Sequence, residues 1–213
     1  MVSKRLKEIA KFLNGKKVLA DVGCDHGYLI IEGFLNYNLS KAYAIDNKEM
    51  PLDNARNNIM KYDFSKNVEF LLSDGLDKME DYFDVVVFAG MGGLLILELL
   101  EKDFSKLYDS RIVVQANRNT YEVRKFLTEK GYYIYDESIV FEDNKYYEII
   151  VFEKTEQPYI YNTNELIFGP VLLERKDNVF KDKLNNDLRI LKKIPHKNEE
   201  ILSKINMVKE NLW

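Results

Sequence analysis

A single cysteine, Cys24, and only two histidines, His26 and His196, bound this chain before any pattern is sought. One thiol cannot close an internal disulfide, and so small a supply of imidazole and thiolate argues against structural zinc; no metal is expected. No apolar run approaches the roughly 20 residues that span a bilayer, so no membrane segment is expected. The opening residues, Met1-Val2-Ser3-Lys4-Arg5-Leu6-Lys7, lack the apolar stretch of a secretory leader. These absences together make a cytosolic, cytoplasmic profile. Internal repeats and low-complexity segments are missing as well.

What is present suffices for one full α/β domain with a small appendage: 213 residues, 46% hydrophobic and 13% aromatic. The net charge of −4 is unevenly spread. Residues 1–20 carry a net +5 and residues 171–213 a net +3, which leaves −12 for the stretch between. A polyanion would touch the two ends. The plainer reading of those lysines is a set of solvated helix faces.

Apolar runs and helical patterns alternate along the first part of the chain. Residues 2–14 read as an amphipathic helix with Ser3 as N-cap. Strands are expected at 17–22, 41–46, 67–72, 84–89 and 111–116, with helices at 27–37, 51–62, 92–102 and 120–130. Val85-Val86-Val87-Phe88 is continuously apolar, as a parallel strand buried on both faces should be. After Gly131 come two strand-like runs, 132–142 and 146–154, split by Glu142-Asp143-Asn144-Lys145. Five βα units closed by a hairpin is the layout of a class I methyltransferase: an α/β, Rossmann-like, seven-stranded sheet. A dinucleotide-binding sheet would continue with a sixth parallel strand. Breaks at Gln157-Pro158 and Gly169-Pro170 divide the chain into residues 1–157 and 158–213, the second part a linker and a helical, coiled-coil-like hairpin interrupted at 194–198. Tyr159, Tyr161 and Phe168 are expected to pack back on the sheet.

Two glycine-rich loops carry the chemistry. Asp21-Val22-Gly23-Cys24-Asp25-His26-Gly27 joins the first strand to the first helix of the sheet, where doubly wound folds hold nucleotide-like ligands. Its acid at the strand end suits hydroxyls or an ammonium and repels a pyrophosphate, which favours S-adenosylmethionine over NAD. Asp46 ends the next strand, 19 residues past Gly27, where an acid takes ribose hydroxyls; otherwise it is an ordinary loop aspartate. Asp74-Gly75 follows the third strand, a place for an acid that accepts from an adenine amino group, or a simple turn. Ala89-Gly90-Met91-Gly92-Gly93 follows the most apolar strand, by the switch point of the sheet. Its alternative is a glycine-relaxed turn. Gln115-Ala116-Asn117-Arg118 adds amides and a guanidinium to the same rim.

Taken together these motifs resemble the TrmK family, the bacterial tRNA (adenine-N1)-methyltransferases that modify adenine 22 of tRNA. The likeness also takes in Ser3-Lys4-Arg5-Leu6, Lys145-Tyr146-Tyr147-Glu148 and Gly169-Pro170. Departures are mild: Cys24 where serine is more usual, Gly27 for alanine, Ala116 for proline and Asp46 for glutamate. The resemblance implies a class I methyltransferase domain with a small helical C-terminal domain, S-adenosyl-L-methionine as cofactor and tRNA as partner; a monomer is expected.

By that resemblance Asp21, Gly23 and His26 surround the methionine end of the cofactor, Asp46 takes the ribose, and Asp74 with Gly75 takes the adenine, with Ala89, Gly90, Met91 and Gly92 alongside. Arg5 is a candidate partner for the cofactor carboxylate or for Asp21, or a surface arginine. His26 is equally suited to holding its own loop. Asp25, Asn117 and Arg118 are candidate catalytic groups at the rim. Tyr28 and Met91 are candidates to hold an extruded base, or core residues. Phosphate contacts would come from Lys4, Lys7 and Lys11, and from Lys192, Lys193 and Lys197. Two other activities stay open at this point: a small-molecule methyltransferase with the same cofactor site, and an NAD-dependent oxidoreductase. A catalytically silent tRNA-binding module is a further possibility.

Overall fold

The computed structural model describes residues 2–157 and 159–213. The Pro158 break and the expected boundary between 157 and 158 fall at the residue outside the described ones. Seven strands form one sheet: β1 (Val18–Val22), β2 (Lys41–Asp46), β3 (Val68–Leu72), β4 (Val85–Met91), β5 (Arg111–Ala116), β6 (Tyr132–Glu142) and β7 (Lys145–Lys154). Their order is β3-β2-β1-β4-β5-β7-β6. The first five are parallel, and β7 enters antiparallel between β5 and β6. This is the expected class I methyltransferase sheet. The reversal falls between β1 and β4, so the loops after those strands frame one crevice.

Alternation explains how both faces are covered. Ala20, Val22, Val86, Phe88, Ile112 and Val114 point to one side, where α4 (Gly93–Lys102) and α5 (Thr120–Glu129) supply Ile96, Leu99, Val123 and Leu127. Leu19, Val85, Val87 and Val113 point to the other side. They meet Ile9 and Leu13 of the first helical segment, Ile30 of α2 (Tyr28–Asn36) and Ile59 of α3 (Glu49–Ile59). α1 (Lys4–Lys11) is shorter than its 2–14 pattern, but Ser3 does cap it, accepting from the Leu6 N–H at 3.2 Å. A carboxylate binds the same end. Glu142 accepts from the N–H groups of Lys4 at 2.7 Å and Arg5 at 3.2 Å, so the β6–β7 hairpin holds the first helix.

That hairpin turns on Asp143 and Asn144, both left-handed at φ 49° and 59°, as a two-residue turn between twisted strands requires. Beyond β7 the chain forms two short helices that the sequence pattern does not resolve, α6 (Thr163–Phe168) and α7 (Pro170–Arg175). Asn162 and Glu165 close a reciprocal capping box on α6, and Pro170 starts α7 at its first position. The expected pair follows as α8 (Asn178–Lys193) and α9 (Glu199–Glu210), with Asn198 capping α9 after the predicted interruption. Phe168, Leu172, Phe180, Leu184 and Val208 bury against Ile139 of β6, so the tail leans on the sheet. Tyr161 accepts from the Ile134 N–H at 3.0 Å, and Tyr159 stacks on Tyr133 with ring centres 5.3 Å apart.

Candidate active site

The loop after β1 is hung from β2: the N–H groups of Gly23 and Cys24 both donate to the Ile45 carbonyl, at 2.8 and 3.0 Å. Its path needs left-handed backbone at Gly23 (φ 78°), Asp25 (φ 46°) and Gly27 (φ 70°). Asp25 therefore holds a left-handed conformation, one that aspartate tolerates better than most residues. Above Gly23 lies the Met91 side chain, whose sulfur would sit 3.6 Å from an added Cβ. Met91 separates two abutting cavities. One, of about 380 Å³, is lined by Asp46, Asp74, Gly75 and Leu95. The other, of about 340 Å³, is lined by Asp21, His26, Tyr28, Ala89, Gly90 and Arg5. Gly23, Asp25 and Met91 belong to both. The sequence-predicted cofactor residues are thus brought together, with one exception: Gly92 lines neither cavity and serves as the N-cap of α4.

The electrostatics of this trough are distinctive. Burial pushes the Asp21 carboxyl up to about 7, and the charges of Asp46 and Asp25 add to the shift. Cys24 is also buried, and burial followed by the charges of Asp21 and Asp46 raises its thiol well above the ordinary range. A deprotonated, reactive Cys24 is therefore disfavoured. Carboxylates gathered where one is driven toward neutrality make a place that a cationic ligand relieves. The Asp46 side chain accepts from the Lys48 N–H at 3.0 Å, which fixes its direction. Asp74 is drawn to Lys102 at 2.7 Å, and buried Asp103, invisible as a site residue in the sequence, accepts from the Leu76 N–H at 2.7 Å and holds the Gly75 turn.

β4 runs two residues further than its apolar pattern, with an irregularity at Gly90 between the pairs Ala89–Gln115 and Met91–Ala116. Gln115, wholly buried, accepts from the Gly90 N–H at 3.2 Å. Asn117 donates to the Gly90 carbonyl at 2.8 Å, and its backbone N–H to the Met91 carbonyl at 2.8 Å. Gly90-Met91 is thus a clamped strand end rather than a loose loop. Asn117 faces the rim with its amide already engaged, while Arg118 is exposed beside it. Among the described residues no ion pair joins Arg5 to Asp21. Arg5 instead donates to Gln115 and lies with its guanidinium carbon 5.3 Å from the centre of the Tyr147 ring. His26 stays close to Asp25 at 3.6 Å and stacks with Tyr28 at 5.5 Å, and its carbonyl accepts from Asn58.

A third and larger space, about 720 Å³, opens beyond Arg5 and Gly90. Arg118, Lys145, Tyr147 and residues of α8 including Lys183 line it. Lys4, Lys7, Lys11, Lys192, Lys193 and Lys197 are all exposed and line none of the three cavities. Among the described residues there is no cluster of metal-ligating side chains, and no helix is long and apolar enough to cross a membrane.

The sequence profile of the tRNA (adenine(22)-N(1))-methyltransferase family, TrmK, matches residues 19–212. The chain belongs to the TrmK family. It is 32% identical over 194 residues to the tRNA (adenine(22)-N(1))-methyltransferase of Bacillus subtilis strain 168, covering 88% of this chain and 82% of that one. It is also similar to the structure of Streptococcus pneumoniae Sp1610 in complex with S-adenosyl-L-methionine, with TM-score 0.93, 32% identity and full coverage of both chains. The Mycoplasma capricolum TrmK structure with S-adenosyl-homocysteine is similar at TM-score 0.86 and 29% identity, covering 99% of this chain and 97% of that one. The TrmK protein described here is an S-adenosylmethionine-dependent tRNA methyltransferase, as the motifs led one to expect. The NAD-dependent reading finds no support in a sheet that closes with an antiparallel strand.

Proposed function

We propose that the protein transfers a methyl group from S-adenosyl-L-methionine to N1 of adenine 22 in tRNA, with the base drawn out to the carboxyl edge of the sheet. The observation that carries this reading is the row of three adjoining spaces. The first two bring Asp46 and Asp21 to either side of Met91, and the third is a cleft with Arg5, Arg118 and Lys145 in its walls, where Lys183 is paired with Glu148 and Asp187. An acidic trough suits the cofactor and a cationic cleft suits a phosphate chain.

When bound, the cofactor supplies a methyl group already activated by a sulfonium. Asp46 would hold the ribose hydroxyls and Asp74 with Gly75 the adenine, while Asp21, Gly23 and His26 enclose the methionine end and Arg5 meets its carboxylate. Adenine N1 carries a free lone pair, so no side chain has to remove a proton before transfer. The chain's work is alignment and exclusion of water. N1 belongs to the Watson–Crick edge, which requires the base to leave its stack or pair. Tyr28 and Met91, in the wall of the Asp21 cavity, would meet its reactive edge at the cofactor. The methylated base is a cation, and the exposed carboxylate of Asp25 is the rim group whose charge suits it. Asn117 acts through the Gly90 clamp, and Arg118 faces the incoming strand. Lys4, Lys7, Lys192 and Lys193 would meet phosphates further out. The division into residues 1–157 and 158–213 is part of the proposal, supported by the apolar cluster that the tail helices form among themselves and over Ile139 of β6.

The deciding experiment incubates unmodified tRNA with the protein and cofactor, digests it and locates 1-methyladenosine. A single modified site at position 22 is expected. Unmodified tRNA would leave the small-molecule or silent-binder readings in its place.

A further inference from the structure

The cleft of about 720 Å³ is walled by elements far apart in sequence. Arg5 and Gly90 line both it and the cavity of Asp21 and His26, so the two spaces meet there. Tyr147 on β7 lines the cleft at that junction, with the Arg5 guanidinium over its ring and Gln115 holding the guanidinium in place. Facing it, α8 contributes Lys183, Asn186 and Ile190. This wall is anchored from beneath: Lys183 lies 3.1 Å from Glu148, the residue after Tyr147, and Glu148 in turn receives Arg124 at 2.8 Å. Lys145 and Arg118 stand exposed at the mouth, without ion-pair partners among the described residues.

A guanidinium braced over a tyrosine is a flat, cationic surface, and extruded bases stack both on tyrosine rings and on arginine planes. Tyr28 does not serve the cleft in this way, because it lines the cofactor cavity and stacks with His26. We propose that Tyr147, braced by Arg5, is the stacking residue for the target nucleotide, and that α8 forms the opposite wall of the same site. The tail then takes part in placing the base at the cofactor as well as in gripping the tRNA. This rests on the tRNA methyl-transfer reading and adds to it the residues that receive the nucleotide.

The test is steady-state methylation of unmodified tRNA by the full chain, paired with calorimetric titration of S-adenosyl-L-methionine. Tyr147→Ala should lower kcat/KM for tRNA about tenfold or more, the expected effect of losing one base stack. Its cofactor affinity should stay within about twofold of the parent, which also shows that the variant is folded. Tyr147→Phe keeps the ring and should restore activity to within about threefold. Ile190→Glu, an exposed change on the α8 wall, should lower kcat/KM for tRNA with cofactor binding intact. A Tyr147→Ala enzyme as active as the parent overturns the proposal. So does one whose cofactor affinity falls in parallel, because Tyr147 would then act through Arg5 on the cofactor alone. An Ile190→Glu enzyme with parental kinetics removes α8 from the site. A parent chain that leaves tRNA unmethylated is a different failure, and it takes down the methyl-transfer reading itself and this inference with it.

Discussion

The Nε of Arg124 on α5 donates to Oε1 of Glu137 on β6 across 2.8 Å, and neither side chain has any solvent exposure. The same guanidinium reaches Glu148 on β7 at 2.8 Å and the Leu166 carbonyl at 3.2 Å. Glu137 spends its other oxygen on the Val171 N–H at 3.0 Å. One cation therefore joins α5, both strands of the final hairpin and the first turns of the tail.

Breaking such a set by removing one partner leaves a buried charge uncompensated. Arg124→Met is expected to destabilise the fold by about 3–5 kcal/mol. The measurement is the urea midpoint at neutral pH. Arg124→Lys should recover little of the loss, since an ammonium cannot fork to two carboxylates. A midpoint unchanged in the methionine variant would show that the cluster does not stabilise the fold.

Acid should loosen the tail. Burial alone would raise the Glu148 carboxyl, but the charges of Lys183 and Arg124 more than offset it and hold it down at about 2, against an ordinary 4.5. The stability it contributes is complete above pH 4.5 and is lost as pH falls toward 2. Denaturant midpoints between those limits should fall with pH more steeply in the parent than in Glu148→Gln. Equal slopes would contradict the assignment.

Asp21 behaves in the opposite sense. With its carboxyl raised from 3.8 to about 7, the folded chain holds that proton more tightly than the unfolded one, so its contribution to stability is present at low pH and withdrawn as pH rises through 7. A cationic ligand favours the ionised form. Affinity for S-adenosyl-L-methionine is therefore expected to rise with pH up to about 7 and level off above it. Asp21→Asn should give a flat profile by calorimetry, and an equally flat profile in the parent would rule the coupling out.

Asp46 has one backbone partner, Lys48, and its other acceptor capacity faces the cavity. Asp46→Ala should weaken cofactor binding by about 1–3 kcal/mol through the loss of charge-assisted hydrogen bonds. Unaltered affinity would take Asp46 out of the pocket.

Binding of tRNA should weaken as salt rises, because lysines that meet phosphates release counterions. Replacing Lys4 and Lys7, or Lys192 and Lys193, with alanine should reduce the slope of log K against log salt by about one for each phosphate no longer neutralised. Slopes identical to the parent would mean that these exposed side chains stay solvated in the complex.

The parallel strands and their order are legible because burial on two faces writes itself as short apolar runs, as in Val85–Phe88. The acids at strand ends are legible because glycines and turn residues mark where a strand stops. Arg124 with Glu137 is not, nor is Glu142 with the head of α1, because each pair joins segments whose approach is set by the finished sheet. Gln115 reads as a rim amide, yet its work is internal: it holds Gly90 and Arg5. The extension of β4 through Gly90 and Met91 is hidden for a related reason. Glycines read locally as a turn, and only the ladder with β5 keeps them in a strand. The short helices α6 and α7 are too brief to show a period, although Asn162 with Glu165 is a capping signal for the first.

Glu142 has a consequence for how the molecule is born. Besides the Ser3 hydroxyl, α1 receives its capping carboxylate from a residue made more than a hundred positions later, and its arginine waits for Gln115 before it has anything to hold. During synthesis, the cap of that helix and its arginine are thus secured well after its apolar face has found α2, and Arg5 is braced only once β5 and the closing hairpin have emerged.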